Sequence, residues 1–151
     1  MRLLVQVVKE AAVTSNDQSI GKIGRGLLIF FGAHVDDKPD MCDWMADKIT
    51  NLRIFPDAND KMNLSVKDVG ASVLIVSQFT LYADCSQGRR PSFTLAARPT
   101  FAQQLYDQFV ATMKSRIPHV ETGQFGSTMA VSLINDGPLT FMIESPERDK
   151  R

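Results

Sequence analysis

Gly26-Leu27-Leu28-Ile29-Phe30-Phe31-Gly32 runs between two glycines without a polar side chain. The run has strand length, is too short for a free-standing helix, and does not alternate apolar with polar, so it reads as a strand buried on both faces. Such a strand belongs in the interior of a sheet with a layer on each side. Ser72-Val73-Leu74-Ile75-Val76 has the same character and is expected to lie in the same sheet. Upstream, Leu3 to Val8 and Ala11 to Val13 read as strands, followed by a turn at Ser15-Asn16-Asp17 and a return through Ile20.

Downstream, Pro39 opens a helix on which Met41, Trp44, Met45, Ile49 and Leu52 form one apolar stripe, all five expected in the core. Phe55 to Asp60 is turn chemistry. A second helix is predicted over Thr100 to Lys114, with Phe101, Leu105, Phe109 and Met113 inward. Met129 to Ile134 and Leu139 to Ile143 read as two strands around a tight connection at Asn135-Asp136-Gly137-Pro138. A loose charged tail is expected over 145–151.

The chain has 151 residues, with 17 basic and 17 acidic side chains. That balance provides no field to hold a long nucleic acid, so any such contact is expected to be local. The N-terminal apolar run is too short for a secretory segment, and none approaches the ~18 residues of a membrane span. Cys42 and Cys85 form no C-x-x-C pair, which points to reduced thiols and the cytosol. No spacing calls for a metal or a cofactor.

The strand end Ser77-Gln78-Phe79-Thr80 offers hydroxyls, an amide and backbone N–H groups where sheets often carry sites, although turn hydroxyls are commonly structural. His34 and His119 are the only histidines and neither has the context of a triad base. His34 precedes Asp36-Asp37, a pair expected to be solvated. Gly88-Arg89-Arg90-Pro91-Ser92-Phe93 is the densest basic loop, able to meet phosphates or to be a solvated turn. Gly123-Gln124-Phe125-Gly126 reads as a turn. Pro138 removes a ladder donor where a strand should begin, and base rates leave its peptide bond trans.

Ser77-Gln78-Phe79-Thr80-Leu81-Tyr82-Ala83-Asp84 and Asn135-Asp136-Gly137-Pro138-Leu139-Thr140 resemble the two signature motifs of D-aminoacyl-tRNA deacylases. The likeness extends through Asn51 to Phe55, Lys61 to Val66 and Gly88 to Phe93, nearly the whole chain. It implies an α+β domain over 1–144, with a mixed or antiparallel sheet and two main helices, in a homodimer whose two sheets form a barrel-like assembly. It also implies a cross-subunit site: Gly137-Pro138, cis in relatives, enters beside the partner's Ser77–Thr80 strand end. By the same resemblance Ser77, Gln78, Phe79 and Thr80 are the catalytic group, and Gly137, Pro138, Asn135 and Thr140 the chiral-selection group.

The implied substrate is the 3′ end of D-aminoacyl-tRNA, with glycyl-tRNA also accepted, the terminal 2′-hydroxyl assisting, and Arg89 and Arg90 as weak tRNA contacts. Where the family usually reads Gln-Arg-Val, this chain has Gln6-Val7-Val8. That bears on how firmly Gly137-Pro138 is held and how strictly L-amino acids are refused. Ser77 and Phe79 set the chain apart from a related branch with a Pro-Gln-Ala-Thr motif. The rival readings are a nucleic-acid or protein binding module without catalysis, and an editing domain for L-amino acids.

Overall fold

A computed structural model describes residues 1–146. Strand β1 (Arg2–Ser15) turns into β2 (Gln18–Ile23) and β3 (Gly26–Gly32), and helix α1 (Asp40–Asn51) follows. A small hairpin of β4 (Phe55–Pro56) and β5 (Met62–Leu64) leads to β6 (Ser72–Ser77) and a 3₁₀ turn (Phe79–Tyr82). Helix α2 (Pro99–Arg116), β7 (Val120–Thr122) and β8 (Ala130–Glu144) complete the fold.

The six-stranded sheet has the order β2-β1-β3-β6-β7, with β8 paired to β1. β8 runs along β1 from Arg2 to Thr14, so the other edge of β1 must serve both β3, at Arg2–Val8, and β2, at Ala11–Ser15. β3, β6 and β7 are mutually parallel, while β1 is antiparallel to its partners, so the sheet is mixed. β2 curls over toward β7, leaving Gly21 so close to the Thr122 carbonyl that an added Cβ would lie 2.9 Å from it. The sheet is thereby nearly closed.

β3 is buried on both faces, as its composition requires. Leu27, Ile29 and Phe31 join the core under the helices, whereas Leu28 joins a second core with Val8, Val13 and Leu74. In the first core Phe31 stacks on Phe109 with centroids 5.2 Å apart and meets Tyr106 edge-on at 5.7 Å. The Tyr106 hydroxyl donates to the Ile75 carbonyl at 2.9 Å, satisfying the one polar atom that this packing would strand.

Gly26 faces Ser72 across the parallel pair, and a Cβ there would lie 1.8 Å from the Ser72 carbonyl oxygen. The obstacle is backbone, so no rotamer change relieves it. Gly26→Ala is expected to destabilise the fold by at least about 3 kcal/mol, since β3 and β6 must separate. Urea unfolding checks this, and a loss under about 1 kcal/mol at unchanged m would contradict the packing.

Four expectations change. Trp44 is 41% exposed, because the buried face of α1 is Cys42, Met45, Ala46, Ile49 and Thr50, whereas Met41 and Leu52, though half-buried, do pack against the core. At 100° per residue Trp44 points away from that face. The closing segment is one strand, not two: both halves of β8 pair antiparallel with β1. Between Gln6↔Thr140 and Val8↔Asn135, β1 advances two residues and β8 five, so residues 136–139 bulge out without reversing the chain.

Asp37, expected to be solvated, is buried and receives the Met1 amino group at 2.5 Å and the His34 backbone N–H at 2.7 Å. Ser145, taken as the start of the tail, donates its N–H to the Met1 carbonyl at 2.9 Å. The rest of that predicted tail, 147–151, lies outside the described residues. Among the described residues no helix is long and apolar enough to cross a membrane.

Candidate active site

β6 leaves the sheet at Ser77, still aligned with Phe31, and the Gln78 N–H donates to the Phe31 carbonyl at 2.7 Å. The chain then tightens into the 3₁₀ turn, with Leu81 N–H to Gln78 carbonyl at 3.3 Å and Ala83 N–H to Thr80 carbonyl at 3.0 Å. Gly32 permits the tightening: a Cβ there would be 3.2 Å from the Gln78 carbonyl and 3.1 Å from Leu81 Cβ. The first N–H groups of such a turn have no acceptor within it, which leaves those of Phe79 and Thr80 available for a ligand. The Gln78 side-chain amide donates to Thr80 Oγ1, linking two of the polar groups.

Ser77, Gln78 and Phe79 line a cavity of about 580 Å³. Phe31 and Val76 reach it from β3 and β6, Phe93 comes from the loop before α2, and Phe125 and Met129 come from the segment before β8. Phe79 and Phe93 meet edge-on with centroids 5.0 Å apart, and both remain exposed. Arg98, at the N-cap of α2, is the charged residue in this lining. The cavity is thus a largely apolar chamber with the Ser77–Phe79 strand end and the Gln78 amide on one side and a cation at its rim, a form suited to a flat ring bearing a polar or anionic tail.

The Gly137–Pro138 peptide bond is cis, and Gly137 has φ +119°, a conformation that favours glycine. Asn135 pins the bulge, its Nδ2 donating to the Leu139 carbonyl and to the Val7 carbonyl, each at 3.0 Å. Thr140 Oγ1 receives Gln6 Nε2 at 3.2 Å and faces Asn135 Oδ1 at 3.4 Å. Gly137 and Pro138 are exposed and do not line the cavity of their own chain. Ser77 aligns through Phe31 and Leu3 with Ile143, while the bulge faces Val7, so the two motifs lie three strand-to-strand steps apart and offset along β1.

Comparison with known proteins is decisive here. The family described as D-Tyr-tRNA(Tyr) deacylase matches residues 4–144. The chain belongs to that family. A protein of Thermotoga petrophila named D-aminoacyl-tRNA deacylase is 51% identical over 145 residues, covering 96% of this chain and 97% of its own. One of the same name from Chloroherpeton thalassium is 53% identical over 154 residues and covers all of both chains. Among solved structures, the c-Myc DNA Unwinding Element Binding Protein superposes with a TM-score of 0.92 at 37% identity, covering 97% of this chain and all of that one.

Among the described residues, no histidine or carboxylate lines the cavity to serve as base beside its hydroxyls. Neither histidine lines the cavity: His34 Nδ1 accepts the Asp36 N–H at 3.1 Å, and the His119 carbonyl accepts from Val73. Cys42 is buried, and burial pushes its thiol up to about 12, so it stays protonated; Cys85 is exposed and unpaired with it. Burial likewise raises the Tyr82 and Tyr106 hydroxyls.

Arg89 and Arg90 lie in a loop closed by the Asp84–Ser92 bridge and do not reach the cavity lining. In sequence Phe125 and Gly126 read as a turn and Ala102 as part of a structural helix, and Arg98 and Pro99 ahead of that helix carry no assignment, yet all five line the cavity. Their signal exists only in space, since they converge from separate parts of the chain.

Proposed function

We propose that the chain hydrolyses the ester of D-aminoacyl-tRNA, releasing the D-amino acid and free tRNA, at the chamber beside Ser77–Thr80. The observation that carries this is the chamber itself, lined by Ser77, Gln78 and Phe79 where the 3₁₀ turn begins, with the Gln78 amide bonded to Thr80. Water attacks the ester carbonyl carbon. The turn N–H groups stabilise the oxyanion that develops there, a contribution worth about 3–4 kcal/mol where single donors have been removed from other enzymes. The vicinal 2′-hydroxyl of the terminal adenosine takes the water's proton and relays it to the departing 3′-oxygen as the ester bond breaks.

The functional unit in this reading is a homodimer acting in the cytosol. The exposed Gly137–Pro138 bulge of one protomer completes the partner's chamber. Its carbonyls accept from the substrate and fill the volume that an L side chain needs, so D side chains and glycine pass and L-amino acids are refused. Asn135 and Thr140 support the bulge, and neutral hydrogen bonds from Gln6 and to the Val7 carbonyl hold it where the family usually has an arginine. Arg89 and Arg90 contact the tRNA more remotely.

The test is release of free D-tyrosine from charged tRNA, beside L-tyrosyl- and glycyl-tRNA. Turnover of the D ester and of glycine with the L ester spared is expected. Equal turnover of D and L esters would make the chain an L-capable editing domain. Binding without turnover would leave a nucleic-acid binding module, the activity for which the 37%-identical structure is named.

A further inference from the structure

We propose that Arg2 is a positioning residue of this hydrolytic site, holding the 3₁₀ turn that carries Phe79 and Thr80; the inference rests on the reading of that turn as the catalytic element. Arg2 Nη1 donates to the Leu81 carbonyl at 2.6 Å, and its guanidinium lies 4.6 Å from the centroid of the Tyr82 ring. Its Nε donates to Glu144 Oε1 at 2.6 Å. One side chain thus grips the turn by a carbonyl and a ring, and is itself tied to the end of β8.

A 3₁₀ turn of four residues has few internal hydrogen bonds and cannot fix its own orientation. Leu81 stands where the chain leaves the turn: Ala83 is already extended, at φ −67° and ψ 128°, so continued helix supplies no donor to the Leu81 carbonyl. Arg2 supplies that donor. The Arg2 backbone also aligns with Gly32, the residue against which the Gln78 carbonyl and Leu81 Cβ close, so main chain and side chain brace the same turn.

Glu144, directly opposite Arg2 across β1 and β8, accepts from the exposed side of the fork. Because β8 also carries the Gly137–Pro138 bulge, the guanidinium ties the catalytic turn of a protomer to the strand that displays its bulge. Arginine suits this task and lysine does not, since only a planar fork can donate in two fixed directions while stacking on a ring.

Steady-state hydrolysis of D-tyrosyl-tRNA by the full-length protein, with thermal unfolding in parallel, tests the role. Arg2→Met is expected to lower kcat about 10- to 100-fold with KM within about twofold, because a misplacement near 1 Å in the reacting geometry costs up to ~100-fold. Arg2→Lys, which keeps the charge and guards against a variant that does not fold, should fall between Arg2→Met and wild type in kcat. Glu144→Gln, which leaves the Leu81 and Tyr82 contacts in place, should stay within about twofold of wild type, an expectation that follows from assigning the effect to the turn.

If Arg2→Met and Arg2→Lys lose thermal stability but keep wild-type kcat, Arg2 is merely structural and the proposal is overturned. If Glu144→Gln loses as much kcat as Arg2→Met, the ion pair and not the grip on the turn is responsible, and the proposal is likewise overturned. The double variant Gln78→Ala with Phe79→Ala separates the layers of the argument: wild-type turnover there removes the catalytic turn itself, whereas loss there with intact Arg2 variants removes only the role of Arg2.

Discussion

An aminoacyl-tRNA ending in 2′-deoxyadenosine is expected to be hydrolysed at least about 100-fold more slowly than the ribose substrate, the range in which a positioned acid–base group acts. The chamber is lined by aromatic and aliphatic side chains, an amide, hydroxyls and the permanently charged Arg98, and both histidines lie elsewhere. Cys42 is buried with a raised thiol, and the Tyr82 and Tyr106 hydroxyls are raised by burial, so none of them serves as a base near neutral pH. The substrate's own hydroxyl is then the group placed to move a proton. Thr80→Ala, which loses the partner of the Gln78 amide but no proposed proton carrier, should retain measurable turnover. Comparison of single-turnover rates for the two substrates decides, and full turnover of the deoxy substrate would remove substrate assistance from the mechanism.

Mixed dimers are expected to recover up to about half the wild-type activity when one protomer carries Gln78→Ala with Phe79→Ala and the other carries Gly137→Ala with Pro138→Ala. Each homodimer should be nearly inactive. In the heterodimer one chamber combines both lesions, while the other joins an intact turn to an intact bulge. The motivation is geometric: Gly137 and Pro138 are exposed on a bulge three strand-to-strand steps from Ser77 and outside their own chain's cavity. If each bulge served its own chain, every heterodimer chamber would carry a lesion. A verified heterodimer with no recovered activity would therefore overturn the cross-subunit reading.

Local composition made much of this legible. Gly26–Gly32 and Ser72–Ser77 have no polar alternation because both faces meet packed side chains, and they are the parallel pair at the centre of the sheet. The 100° period made α1 and α2 visible but placed Trp44 wrongly, since apolar character alone does not say which face a residue joins. The Asn135–Pro138 segment looked like a hairpin turn because its residues are turn formers. Whether such a segment reverses the chain depends on what its flanks pair with, and here both flanks pair with β1.

The sequence by itself determined the central strands, the two helices and the two long motifs in order, whose resemblance carries the family and with it the α+β class. Each is a local property, decided by periodicity and by residue types a few positions apart. Only the tertiary structure decided that β8 is a single bulged strand, that Phe93, Arg98, Phe125 and Met129 converge on one chamber, and that Gly137–Pro138 stands outside it. Those facts depend on which segments pair across the sheet and how far it curls, and the free energy that selects them comes from burying two cores at once, a sum over distant residues that no window of the chain contains.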